Sequence, residues 1–167
     1  DSTTTVTTSG LYHVTVSNSF GCLATDSVTV TFNSTPTANI QGDTIACEGH
    51  TIALSVAGQG TSYLWSTNSF NDFINVTTSG LYSVTVSENG CLGYDEVNLY
   101  FNPSPVVDLG VDFSVCEGET VTLDAGVFSS YLWNDGSTSQ TSIIDQAGQY
   151  FVTVTDNNTC EGTDNII

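Results

Sequence analysis

The chain has 167 residues with no Lys and no Arg against 18 Asp and Glu, a formal net charge of −18. Affinity for a phosphate backbone or an anionic lipid surface comes from Lys and Arg, so nucleic acid and acidic membrane surfaces are excluded as partners. Lys/Arg salt bridges, Lys/Arg cation–π contacts and Lys–Asn crosslinks go with them, which leaves apolar burial, strand hydrogen bonds and cystines to act against self-repulsion. Hydrophobic residues make up 39% of the chain, so this is not an acidic disordered tail. No apolar run approaches the roughly 20 residues that span a bilayer, so no membrane insertion is expected.

Taken in chain order, the first recognisable element is Ser9-Gly10-Leu11-Tyr12-His13-Val14-Thr15-Val16-Ser17, followed by Cys22. Ser34-Thr35-Pro36 then reads as a joint, and Cys47-Glu48-Gly49 and Tyr63-Leu64-Trp65 follow it. The first element returns nearly unchanged as Ser79-Gly80-Leu81-Tyr82-Ser83-Val84-Thr85-Val86-Ser87, ahead of a Glu88-Asn89-Gly90 turn and Cys91. A second joint, Asn102-Pro103-Ser104-Pro105, opens the next round with Cys116-Glu117-Gly118, a strand pattern over 120–125, and Tyr131-Leu132-Trp133. Ala147-Gly148-Gln149-Tyr150-Phe151-Val152-Thr153-Val154-Thr155 and Cys160 complete it.

These landmarks keep one period. Cys22, Cys91 and Cys160 are 69 residues apart, as are Cys47 and Cys116. The register divides the chain into residues 1–34, the C-terminal part of one module; residues 35–102, a complete module; and residues 103–167, a module lacking its last few residues. Within each, β-branched and aromatic residues alternate with period two between Gly, Asn, Asp and Ser clusters, and no helical period is sustained. The expected class is all-β: tandem immunoglobulin-like β-sandwich modules in an extended string. Trp65 and Trp133 sit on strands between two cysteines, as the core Trp of that architecture does. Tyr12, Tyr82 and Tyr150 open strands at the position of a tyrosine corner, and all five aromatics are expected in the core. The antibody-type second Cys is replaced by Val84 or Val152, so no intersheet bridge is expected.

Five cysteines at regular spacing read as a disulfide set. Two pairings fit the period. Cys47–Cys91 and Cys116–Cys160 would close within modules, leaving Cys22 to a partner upstream. Cys22–Cys47 and Cys91–Cys116 would instead cross the joints. The first is the expectation, although a simple seven-strand path puts Cys47 and Cys91 at opposite poles, and bonded Cα atoms must lie within about 7 Å.

Val115-Cys116-Glu117-Gly118-Glu119-Thr120, Tyr131-Leu132-Trp133-Asn134-Asp135-Gly136 and the 147–155 element ending at Cys160 resemble the Ig-like/PKD-like repeats of Bacteroidota surface proteins. That class includes gliding-motility adhesins and other type IX secretion substrates. The resemblance implies export, an extracellular cell-surface location, arrays of many modules and a mechanical or adhesive role. It also implies O-glycosylation at Asp-Ser/Thr motifs, with Ser2, Ser27 and Thr44 as candidates. The second module departs from the pattern where Ser66-Thr67-Asn68-Ser69-Phe70 replaces the Asn134-Asp135-Gly136 turn, and a local difference is expected there.

No catalytic constellation emerges. His13 and His50 occupy non-equivalent repeat positions and read as surface side chains. Asp95 and Glu96 are adjacent in a strand and point to opposite faces. Calcium is the only cofactor worth weighing, with Asp108, Asp112 and Asp156 (beside Asn157) as oxygen ligands; turn chemistry is the simpler role for each. The reading is a non-enzymatic stalk or filament of a bacterial surface adhesin, whose partners are neighbouring modules and possible surface proteins, filament proteins or glycans. The alternatives are a glycan- or protein-binding module acting through Phe70-Asn71-Asp72-Phe73, and an accessory module of a secreted enzyme.

Overall fold

The computed structural model describes residues 3–58 and 60–167. Ser2 lies outside them. All regular secondary structure among the described residues is β, in chain order β1 (Gly10–Ser17), β2 (Leu23–Val30), β3 (Ile40–Gln41), β4 (Ile45–Cys47), β5 (Ile52–Val56), β6 (Ser62–Trp65), β7 (Phe73–Val76), β8 (Gly80–Glu88), β9 (Cys91–Asn102), β10 (Val121–Asp124), β11 (Ser130–Trp133), β12 (Thr141–Ile144), β13 (Tyr150–Thr155) and β14 (Glu161–Ile166). Among those residues no helix is long and apolar enough to cross a membrane, which says nothing of β-barrels.

The strands form five small sheets: β1-β2, β3-β5-β7, β4-β9-β8-β6, β10-β12 and β11-β13-β14. The pairings β1-β2, β5-β7, β6-β8, β10-β12, β11-β13 and β13-β14 are antiparallel, whereas β4 and β9 run parallel with Cys47 opposite Asn102. Parallel pairing arises because the segment after Pro36 changes sheets: β3 joins β5, and β4 joins β9. Gly42 stands at the change with φ +141°, and a Cβ there would press on the Ala53 carbonyl oxygen. Only glycine accommodates both the dihedral and the close approach.

Turn chemistry explains the hairpins. Asn89 and Gly90 both have positive φ, the conformation that a two-residue type I′ connection between β8 and β9 requires. The Ser66-Thr67-Asn68-Ser69 loop does not differ from its counterpart as expected. Trp65 N donates to Ser69 O at 2.9 Å and Asn68 N to Trp65 O at 2.9 Å; Trp133 N donates to Ser137 O and Gly136 N to Trp133 O at the same distances. Asn68 takes φ +63° where Gly136 takes +85°. Asn is among the few residues that tolerate this left-handed region, so two different sequences build one turn.

Contacts group the chain into two compact units, each discontinuous. The first contains the stretch up to Asn39, Val56–Asp72 and Ser83–Asp95; the second contains Ile40–Ser55, Phe73–Tyr82 and Glu96–Ile167. This division cuts across the middle repeat. In the first unit Trp65, Val84 and Val86 are buried. In the second, Val107, Leu123, Ala125, Trp133, Val152, Val154 and Ile166 form one core cluster, drawing on both β10 and the β11-β13-β14 sheet. Period-two alternation produces this: Val152 and Val154 point inward, while Phe151 before them is exposed and Thr153 between them is half-buried. Each fully buried Val or Leu contributes about 1.5–3 kcal/mol.

Both tryptophans are core residues and satisfy their indole N–H. Trp65 Nε1 donates to Asn71 O at 2.9 Å, and Trp133 Nε1 to Ser139 O at 2.8 Å. The three tyrosines differ from expectation: Tyr12, Tyr82 and Tyr150 are half-buried rather than enclosed. Each hydroxyl donates to the carbonyl four residues upstream, at Thr8 (2.7 Å), Thr78 (3.0 Å) and Gln146 (2.9 Å). A phenol tied to a surface corner cannot also be fully enclosed, so the ring packs and the hydroxyl stays at the rim.

Candidate functional site

Among the described residues one covalent cross-link forms, a cystine between Cys47 and Cys160, 113 residues apart in sequence with Cα atoms 5.5 Å apart. Among the described cysteines Cys22, Cys91 and Cys116 are free. The pairing expected from spacing, Cys47–Cys91 with Cys116–Cys160, is therefore corrected, and so is the module that locks itself.

Strand direction is the physical reason. Cys47 lies opposite Asn102, the last residue of the twelve-residue β9, and Cys91 is the first. A strand of that length runs about 36 Å at ~3.3 Å per residue, several times the reach of a cystine. The same holds in the third repeat. Leu109 N donates to Asp164 Oδ2 and Ile167 N to Asp112 Oδ1, so the segment carrying Asp112 lies along β14 and continues past its end toward Cys116. Cys160 precedes the start of β14.

What brings Cys160 to Cys47 is the chain running out of β9. The Asn102 carbonyl accepts from Glu48 N at 2.8 Å and lies 4.0 Å from Cys160 Sγ, so both cysteine-bearing segments converge on one residue. Asp156 fixes the other side: its Oδ1 accepts from Asn158 N at 2.8 Å and Cys160 N at 2.9 Å, which orders the β13–β14 loop and leaves Cys160 fully buried. Asn18 does the same before Cys22, with Oδ1 accepting from Phe20 N and Cys22 N at 3.0 Å each.

A glycine close approach lies beside Cys160, and another repeats it beside Cys91. A Cβ at Gly162 would overlap the Pro105 carbonyl oxygen, and a Cβ at Gly93 would overlap that of Pro36. The joint prolines are thus packed against a later strand of their own repeat and are not free linker. Asn102 and the Gly/Pro contacts escaped sequence reasoning. The signal for the last was present, since Pro36 to Gly93 and Pro105 to Gly162 keep the same 57-residue spacing.

The remaining candidates are dispersed. Asp108 Oδ1 accepts from Gly110 N at 2.8 Å, Asp112 Oδ1 from Ile167 N at 2.9 Å, and Asp156 serves its own loop. Among the described residues no three His, Cys, Asp or Glu side chains come together as metal ligands. Gln140 Nε2, then the Gly126 amide, donate to Asp124 Oδ1 and hold its carboxyl below the ordinary value. His13 and His50 are exposed, as are Ser27 and Thr44. Phe70 is 73% exposed, and Phe73 is 50% exposed. An open concavity of about 370 Å³ is lined by Gln149, Phe151, Thr153, Thr163, Asp164 and Asn165, a set with no nucleophile and base in a catalytic arrangement.

Comparison with protein-family models gives no match, and comparison with curated proteins gives none. Among solved structures, the chain is similar to the crystal structure of Down Syndrome Cell Adhesion Molecule isoform 1.30.30, N-terminal eight Ig domains. The TM-score is 0.37 with 13% identity, over 95% of this chain and 30% of that one. At that level of likeness the comparison carries no argument about function.

Proposed function

We propose that the chain is a non-catalytic extracellular repeat region, a stalk or filament segment of a bacterial surface adhesin, built from tandem immunoglobulin-like, PKD-like β-sandwich repeats over residues 1–34, 35–102 and 103–167. The observation that carries this reading is the Cys47–Cys160 cystine, which joins one repeat to the next. A bond that crosses the repeat boundary carries tension past the residues it encloses and keeps them folded under load, which suits a force-carrying element. The repeated Trp and Tyr hydrogen bonds support it, because each repeat reuses one structural solution while its exposed positions vary.

The β1-β2 hairpin supports the assignment of residues 1–34. Val14 and Val16 are each 57% exposed, whereas their repeat counterparts Val84, Val86, Val152 and Val154 are 0% exposed. This apolar face has the pattern of one that a second sheet of the same repeat covers. The motif resemblance to repeats of Bacteroidota surface proteins supports a parent of that kind, with gliding adhesins as the functional class this reading takes.

Immunogold labelling of intact source cells with an antibody raised against this chain tests the reading. Label on surface filaments or stalks is the expected result; label confined to the cytoplasm of permeabilised cells refutes it. The exposed Phe70 and Phe73 favour a second reading, direct binding of a glycan or partner, which a glycan array probed with the wild-type chain and with Phe70→Ala would reveal.

A further inference from the structure

Three observations bear on the cysteines left free. The surroundings of Cys91 copy those of Cys160 one period earlier. Cys91 Sγ lies 3.6 Å from the Asn33 carbonyl oxygen, as Cys160 Sγ lies 4.0 Å from that of Asn102. The Gly93/Pro36 close approach beside Cys91 duplicates Gly162/Pro105 beside Cys160. On the opposite side, Cys116 copies Cys47: His50 N donates to Cys47 O and Glu119 N to Cys116 O, both at 3.1 Å, and Gly49 and Gly118 take φ +83° and +90°. The bonded pair is therefore one example of each of two half-sites, and the free cysteines are unfilled copies of the same two.

From this geometry we infer that the repeats are stitched by a ladder of cystines in which each Cys-Glu-Gly cysteine bonds the late cysteine of the following repeat, 113 residues on. Cys91 takes the cysteine of a Cys-Glu-Gly turn one period before Cys47, and Cys116 takes the cysteine one period after Cys160. Cys22 belongs to the same class as Cys91 and Cys160. The offset is one period more than the 44 residues between Cys47 and Cys91, so every bond crosses one repeat boundary and none closes inside a repeat. The parallel β4–β9 pairing sets the rule, because it always delivers the Cys-Glu-Gly turn to the exit of its own repeat.

Each bond forms when two thiols give up two electrons and two protons to the disulfide of an oxidant, a protein or small-molecule disulfide that leaves as a dithiol. The exchange passes through a mixed disulfide between the oxidant and one of the two cysteines. The inference rests on the repeat register and the sulfur surroundings, independently of any adhesive role.

The test is disulfide mapping by mass spectrometry after non-reducing digestion, with free thiols alkylated first. In the 167-residue chain three thiols (Cys22, Cys91, Cys116) are expected to label, with one linked peptide pair, Cys47 to Cys160. A second chain carries an extra copy of residues 35–102 inserted after Asn102. There Cys47 should move to the Cys91 of the inserted copy, the copy's Cys47 should take Cys160, and the free thiols should remain three. A copy whose Cys91 stays free behind a repeat carrying Cys47, or any bond closing within one repeat, overturns the ladder. Cys47→Ser in the original chain keeps the question open to test if the longer chain does not fold. Cys22, Cys91, Cys116 and Cys160 should then all label, and a Cys116–Cys160 bond in that variant overturns the rule.

Discussion

Pulling on the chain from its ends under oxidising and then reducing conditions tests the cystine directly. With Cys47 bonded to Cys160, the chain across their separation of 113 positions cannot extend; only the stretches outside the bond can. Reduction frees that loop in a single step worth about 400 Å of contour length at ~3.6 Å per residue. Bonds closed within repeats would behave differently. Two loops of 44 residues each would release about 160 Å apiece, in two steps. Single-molecule force spectroscopy with reductant added during the experiment resolves these lengths easily. Cys47→Ser should show the full extension from the outset, with no reductant-dependent step. Two shorter increments, or a wild-type trace indifferent to reductant, would refute the strand-direction argument. The same loop, by chain-entropy reasoning, restricts the unfolded state enough to stabilise the fold by about 5 kcal/mol, so the urea midpoint should fall on reduction.

Trp133→Ala should cost about 3–5 kcal/mol in urea unfolding, because it empties the core cluster and strands the Ser139 carbonyl. Gly162→Ala should cost about 1–3 kcal/mol through overlap with the Pro105 carbonyl. Gly148→Ala, whose new methyl meets only the Tyr150 ring at ordinary contact distance, is the control and should be mild. Asp124 should titrate by NMR below the ordinary 3.8, and Gln140→Ala should bring it back up. Since its folded pKa lies below the unfolded one, its contribution to stability is present at neutral pH and is lost as pH falls through the folded value. Added salt should raise the melting temperature, since the net charge of −18 repels itself without a cation on the chain to offset it; a melting temperature unmoved between low and physiological salt would contradict this.

The local features of this protein were open to reading from residue order. A period carried by Cys, Trp and Gly-x-Tyr landmarks marks the repeats, and period-two runs mark strands such as β13 and β8. Tyr150 at a strand entrance and Asn89-Gly90 between β8 and β9 are local chemistry: the dihedrals and hydrogen bonds they need involve residues at most a few positions away. The turn after Trp65 shows the limit of that reading, since matching letters misses that Asn68 and Gly136 satisfy the same dihedral demand.

Cysteine pairing was decided elsewhere. Equal spacing fits several connectivities, and nothing near Cys47 in sequence says which end of β9 it will meet. That depends on the segment after Pro36 changing sheets at Gly42 and then running parallel to the last strand of its repeat. Such a course is fixed by contacts between residues more than fifty positions apart, Gly42 excepted. Residue order therefore determined the repeats and their turns, and tertiary packing alone determined that the covalent link runs from one repeat to the next.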